Sequence, residues 1–156
     1  LKSIVAATLL VLATILPAQA DPRPFTRGSW QSLVQAHAAR PFAVHFWSLT
    51  CAPCLVELPR WHDMVKETGM DLILVSTDPA EDWPKVERTL KRAGLEKMES
   101  WAFADLFTER LRFEIDKTWH GELPMTVFVS ASGERKAVTG TVTREDFASW
   151  LRSGQR

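Results

Sequence analysis

Phe46-Trp47-Ser48-Leu49-Thr50-Cys51-Ala52-Pro53-Cys54-Leu55-Val56-Glu57-Leu58-Pro59 contains both cysteines of the 156-residue chain, set between a strand-like run and a helix-like one. A C-x-x-C at the opening of a helix brings two thiols within disulfide reach. It also puts the first of them where unpaired backbone N–H groups and the helix dipole favour a thiolate. Two cysteines are too few for a disulfide framework, and beside a β–α pattern they read as a redox motif. A metal half-site and a purely structural bridge are the alternatives. A structural zinc needs about four ligands. Without a second Cys pair the remaining candidates, His62 and His120, show no ligand spacing, so no metal centre is expected.

Working outward, Phe42 to Trp47 is an apolar run broken only by His45, the pattern of a strand buried on both faces. From Pro53 a helix is predicted to about Thr68, with Leu55, Leu58, Trp61, Met64 and Val65 at helical spacing and Gly69 as its stop. Pro59 lies inside it. Asp71 to Ser76 is a second buried strand, so strand–helix–strand predicts a parallel pair and an α/β architecture. Upstream, Asp21-Pro22-Arg23-Pro24 reads as an extended leader that avoids helix and sheet, and Ser29 caps a helix from Trp30 to about Ala39.

Downstream, Thr77 or Asp78 caps a helix from Pro79 to about Ala93, Trp101 to Ala104 forms a short strand, and Leu106 to about Ile115 is helical. Met125 to Val129 is a strand, Ser130 to Gly133 a turn and Arg135 to Val142 its partner strand. Thr143 then caps a last helix from Arg144 to about Arg152.

The balance of 19 basic and 19 acidic residues suggests no nucleic-acid partner. Residues 1–20 read as a signal peptide: Lys2, an apolar run from Ile4 to Leu16, Pro17, then Ala18-Gln19-Ala20 with cleavage expected after Ala20. An uncleaved anchor is the alternative, although the run is shorter than the roughly 20 apolar residues a span requires. Residues 21–156 are expected to form one domain, exported to a bacterial periplasm or an equivalent oxidising space.

At Trp47, the C-x-x-C pair, the helix-interior Pro59 and Gly121-Glu122-Leu123-Pro124-Met125-Thr126, the sequence resembles the thioredoxin superfamily. Glu57, the signal segment and the extra strand–helix unit from Trp101 to Ile115 look like the exported TlpA/ResA/CcmG-type branch. The resemblance implies a central mixed sheet flanked by helices, with that unit inserted before a cis-proline at Pro124. It further implies Cys51 as attacking and Cys54 as resolving thiol, Glu57 as acceptor of the Cys54 proton, and a substrate groove at Trp47, Leu123 and Pro124. Trp119 and His120 are further candidates to line that groove. His45 stands where thioredoxin carries a buried aspartate and this branch often an asparagine; it competes with Glu57 for the proton, a buried core histidine bonded to backbone being the alternative. Thr50 replaces the tryptophan that often precedes the first cysteine, and Glu122 lengthens the commoner Gly-x-Pro approach.

These residues predict an exported thiol–disulfide oxidoreductase whose only redox group is the Cys51–Cys54 disulfide, with no added cofactor. The resemblance supplies its partners: disulfides of exported client proteins, for example in cytochrome c or copper-site maturation, and a membrane-bound electron donor. A monomer is expected. Ala52-Pro53 brings no charge to a thiolate, which favours a reductant. A periplasmic oxidant or isomerase, and a non-catalytic copper- or zinc-binding module, are the alternatives. Ser48 stands where a peroxiredoxin-like site requires threonine.

Overall fold

The computed structural model describes residues 22–38 and 40–153; the expected signal peptide lies outside them. Six strands, β1 (Arg23–Phe25), β2 (Phe42–Trp47), β3 (Asp71–Ser76), β4 (Glu99–Phe103), β5 (Met125–Val129) and β6 (Arg135–Thr139), form one sheet. Their order is β1-β4-β3-β2-β5-β6. The first four in that order run parallel, β5 runs antiparallel to β2, and β6 antiparallel to β5. Five α-helices connect them: α1 (Ser29–Ala36), α2 (Ala52–Thr68), α3 (Trp83–Arg92), α4 (Thr108–Ile115) and α5 (Arg144–Ser153). The predicted mixed α/β sheet is therefore present, with β4 and α4 inserted before β5.

Strand alternation separates two apolar layers. Ala43 and Trp47 of β2, Leu72 and Leu74 of β3 and Phe128 of β5 pack with Leu58, Trp61 and Met64 of α2, Val86 and Leu90 of α3, and Phe147 and Trp150 of α5. Phe42, Val44 and Phe46 point the other way and meet Trp30 and Leu33 of α1 with Leu111 and Ile115 of α4. His45 and Thr126 are paired in register, so both project into the layer beneath α2. That placement fixes the chemistry of the site.

Several expectations change. Arg23–Phe25 is not a free leader but an edge strand beside β4; Pro24 is tolerated there because an edge leaves one side of the strand without ladder bonds. Gly28, with φ 82°, caps α1 in place of Ser29, whose hydroxyl accepts the Thr26 N–H instead. That helix stops at Ala36, earlier than expected. Neither Thr77 nor Asp78 caps α3: the Asp78 carboxylate faces the loop before Cys51, a 3₁₀ turn covers Ala80–Asp82, and α3 starts at Trp83 with a proline in its first turn, where the missing N–H costs nothing.

On α2, Leu55 is exposed, leaving the buried stripe to Cys54, Glu57, Leu58, Trp61 and Met64. On α4 the helix begins at Thr108, and Leu106, Phe107 and Phe113 lie outside the core because only Leu111 and Ile115 recur on its inner face. β6 ends at Thr139, before the predicted Val142: Gly140 turns with φ 95° and donates its N–H to the Pro124 carbonyl at 2.8 Å. Trp47, expected in the substrate groove, is fully buried inside the sheet, and Trp119 is buried against Phe46. Neither can line an open cleft.

Leu58 and Leu106 give a matched comparison, at 1% and 96% exposure. Truncating a buried leucine removes its packing and leaves a cavity, whereas an exposed one has little to lose. Leu58→Ala is expected to lower the urea-unfolding free energy by about 2–5 kcal/mol and Leu106→Ala to change it by about 0.5 kcal/mol or less. Equal losses in the two variants would refute the layer assignment.

Candidate active site

β2 ends at Trp47, and the chain crosses Ser48, Leu49 and Thr50 to reach Cys51, the N-cap of α2. Its Sγ accepts the N–H of Cys54 at 3.2 Å, so the first sulfur occupies the spot where a helix presents its unpaired donors. Cys51 and Cys54 form a disulfide with Cα atoms 5.2 Å apart. Cys51 is half-buried and Cys54 fully buried, the asymmetry expected of an attacking and a resolving sulfur. Pro53, in the first turn, starts the helix without losing an intrahelical bond.

The loop that delivers Cys51 rests on Asp78, a residue the sequence reading assigned to a helix cap. This buried carboxylate accepts the Ser48 hydroxyl at 2.9 Å, the Leu49 N–H at 3.0 and 3.2 Å, and the Ser76 hydroxyl at 2.6 Å. Ser48 Oγ in turn accepts the Thr50 N–H at 3.1 Å and lies 3.0 Å from the Thr50 hydroxyl. Asp78 thus ties the end of β3 to the loop before Cys51. The signal was the spacing of Ser76 and Asp78 directly after a buried strand, but only the parallel register shows that β3 ends beside β2.

Glu57 sits one turn beyond Cys54 on the buried face of α2, with no exposed surface. Its Oε1 accepts the backbone N–H of Val142, which the Gly140 turn aims at it. Oε2 has no hydrogen-bond partner. Burial is the dominant influence and pushes this carboxyl up to about 7, against the opposing pulls of the Val142 N–H and the Arg60 charge. His45, fully buried, places Nδ1 2.9 Å from the Thr126 hydroxyl and Nε2 3.8 Å from Glu57 Oε2. Its partner is therefore a threonine side chain and not the backbone. Burial lowers its imidazole to about 3, so the ring is neutral.

The remaining candidates gather at the same end of the sheet or fall away from it. The Leu123–Pro124 peptide is cis, and Pro124 immediately precedes β5, where Met125 pairs with Phe46. Leu123 is half-buried and packs against both apolar layers, whereas Trp47 belongs to the core. His120 is exposed beside the approach to Pro124. Among the described residues, no group of three or more His, Cys, Asp or Glu is placed to hold a metal ion.

Glu57 and His45 act on stability with opposite signs. Glu57, raised from 4.5 to about 7, stabilises the fold fully below its unfolded value and loses that contribution as pH rises through about 7. His45, lowered from 6.5 to about 3, contributes fully above 6.5 and loses it as pH falls toward 3. In the disulfide form, Glu57→Gln is therefore expected to gain up to about 3 kcal/mol relative to wild type between pH about 4.5 and about 7. Urea unfolding at several pH values measures this; a constant difference would show that Glu57 ionises in the fold as it does in the unfolded chain.

No protein-family model matches the chain. Over 114 residues it is 26% identical to the thiol-disulfide oxidoreductase ResA of Geobacillus thermodenitrificans, covering 70% of this chain and 60% of ResA. It thus spans about three fifths of that relative. Among solved structures, the thioredoxin-related protein of Neisseria meningitidis serogroup B superposes with a TM-score of 0.66 at 22% identity, covering 85% of this chain and 97% of that one. A secreted Mycobacterium tuberculosis disulfide oxidoreductase homologous to Escherichia coli DsbE gives 0.61 at 15% identity, covering 76% and 85%. With its Cys51–Cys54 disulfide at the N-terminus of α2, the chain is a thioredoxin-fold protein similar to the ResA- and DsbE-type thiol–disulfide oxidoreductases.

Proposed function

We propose that this chain is an exported thiol–disulfide oxidoreductase of 21–156 after removal of a signal peptide, and that it reduces disulfides of exported client proteins. The observation that carries the reading is the polarity of the pair: a half-buried Cys51 sulfur capped by a helix N–H, joined to a fully buried Cys54 with a buried carboxyl one turn below. The similarity to ResA supports the same chemistry.

In the reduced protein the Cys51 thiolate attacks a client disulfide, forming a mixed disulfide and releasing one client thiolate. Cys54 then yields its proton to Glu57, and the resulting thiolate attacks Cys51 Sγ. The second client thiolate leaves, the Cys51–Cys54 disulfide closes, and the client has gained two electrons. A carboxyl held up to about 7 is matched to this task, because a stronger acid would return the proton at once. The backbone of Leu123, before the cis-proline, is the place where an extended client segment would pair.

Ala52 and Pro53 place no positive charge between the sulfurs, which supports reduction as the physiological direction. A membrane-bound donor would then re-reduce Cys51–Cys54 in an oxidising compartment, with cytochrome c or copper-site maturation as the context. The protein would work as a monomer, with the disulfide as its sole redox group.

Purified protein is expected to reduce insulin or a glutathione mixed disulfide. Cys54→Ser should accumulate a mixed disulfide through Cys51, detected by mass spectrometry, and Glu57→Gln should slow resolution about 10²-fold or more. A reduction potential near −270 mV marks a reductant and one near −120 mV an oxidant. Failure of both reduction and trapping, with copper or zinc retained through dialysis and lost in Cys51→Ser, would move the pair to metal delivery.

A further inference from the structure

Resting on that proton transfer, we infer that Glu57 and His45 act as one base. A single proton is held between Glu57 Oε2 and His45 Nε2, and Thr126 orients the imidazole so that Nε2 presents its lone pair. His45 is then a positioning residue that acts on sulfur chemistry through Glu57.

Three side chains from three elements meet in the dry layer beneath α2. His45 of β2 and Thr126 of β5 are directly paired in the antiparallel register, and their side chains are joined at 2.9 Å. On its other side the ring faces Glu57 of α2, and all three residues have zero exposure. Nε2 and Oε2 lie 3.8 Å apart, and neither has a hydrogen-bond partner. An Nε2–H facing a carboxylate in a dry site would close to about 2.7–2.9 Å. Two atoms that both offer lone pairs stand apart. The spacing therefore points to the tautomer with its hydrogen on Nδ1, donated to Thr126 Oγ1.

Such a pair lacks one proton. When Cys54 gives up its own, Oε1 is already occupied by the Val142 N–H, so the proton goes to Oε2 and two opposed acceptors become one O–H···N hydrogen bond. The step balances: the Cys54 S–H bond breaks, its electron pair stays on sulfur for the attack on Cys51, and the pair passes from one negative charge to none. A departing client thiolate or water later takes the proton and resets it. The surroundings offer little competition. Arg60 of α2 is the charge that acts on Glu57, and it opposes protonation. The other faces are Leu74 beside His45 on β3, the Trp61 ring at 5.1 Å from the imidazole, and the Val142 amide before α5.

The test is NMR of the reduced protein with labelled histidine and glutamate. The His45 ring is expected as the Nδ1–H tautomer, and its Nε2 signal and the Glu57 carboxyl signal are expected to move together with one midpoint. Thr126→Val frees the ring to turn its hydrogen to Nε2, toward the carboxylate. That variant and His45→Asn should each lower the Glu57 midpoint and the matching inflection in the pH–rate profile by about one unit or more, a tenfold loss of proton affinity. Thr126→Ser, which keeps the hydroxyl, should restore both. An Nε2–H tautomer in the wild type, a flat Nε2 signal while Glu57 titrates, or unmoved midpoints in both variants would overturn the shared proton. The two readings fail separately. Full resolution rate in Glu57→Gln sinks the proton transfer proposed above whatever the joint titration does, whereas a slow Glu57→Gln with a flat Nε2 signal sinks only the pairing.

Discussion

A carboxyl group buried in an apolar layer with a single backbone donor is the constraint from which the rest of this site follows. Removing an ionised carboxylate from water costs several kcal/mol even after the protein relaxes, and one charge-assisted hydrogen bond returns about 1.5–3. The Val142 N–H therefore leaves the cost only partly offset, and Glu57 responds by holding its proton up to about 7. Everything around it serves that half-satisfied state. Gly140 breaks β6 with a left-handed turn so that the chain can bring Val142 back over α2, and the buried stripe of that helix keeps Glu57 and Cys54 on one face.

Asp78 shows the opposite treatment of the same functional group. Three donors from Ser48, Leu49 and Ser76 cover both of its oxygens, and it fastens the loop that leads to Cys51. Two buried carboxylates thus lie behind one disulfide with different degrees of satisfaction. Full satisfaction makes a rigid support, and partial satisfaction leaves one oxygen of Glu57 open. The division of labour is set by how many donors the backbone and neighbouring hydroxyls bring, and not by the identity of the acid.

Much of this was legible in the chain. Apolar runs at β2 and β3, Gly69 after α2, and the Thr143 cap of α5, where the hydroxyl accepts the Asp146 N–H and Asp146 Oδ2 accepts the Thr143 N–H, are local signals that tertiary packing reinforces. Cys51 and Cys54 stood out because their chemistry is tied to short spacing, whereas Glu57 and Pro124 were singled out only through the resemblance to the thioredoxin superfamily. What escaped depends on register between distant segments. Thr126 pairs with His45 across 81 positions and Val142 reaches Glu57 across 85, and no local pattern encodes either contact. Trp47 misled for the same reason. The family resemblance placed it at a substrate groove, but the two-residue alternation of β2 turns it into the core.

His45 on β2 and Thr50 in the loop after it lie at different depths. Thr50 is exposed and shares its hydroxyl with Ser48, so the surface beside the Cys51 sulfur is more polar than an aromatic residue would make it. In the proposed reaction an attacking thiolate there would gain solvent access and lose apolar shielding, which would ease its formation and weaken its pull on an apolar client. His45, two residues inward from Trp47 on the same face of β2, lies where water does not reach. In the proposed reaction Cys51 would act where solvent reaches it, whereas Cys54 is fully buried and would have to pass its proton to a neighbouring side chain. Glu57 and His45 are fully buried too, with Glu57 on the same face of α2 as Cys54.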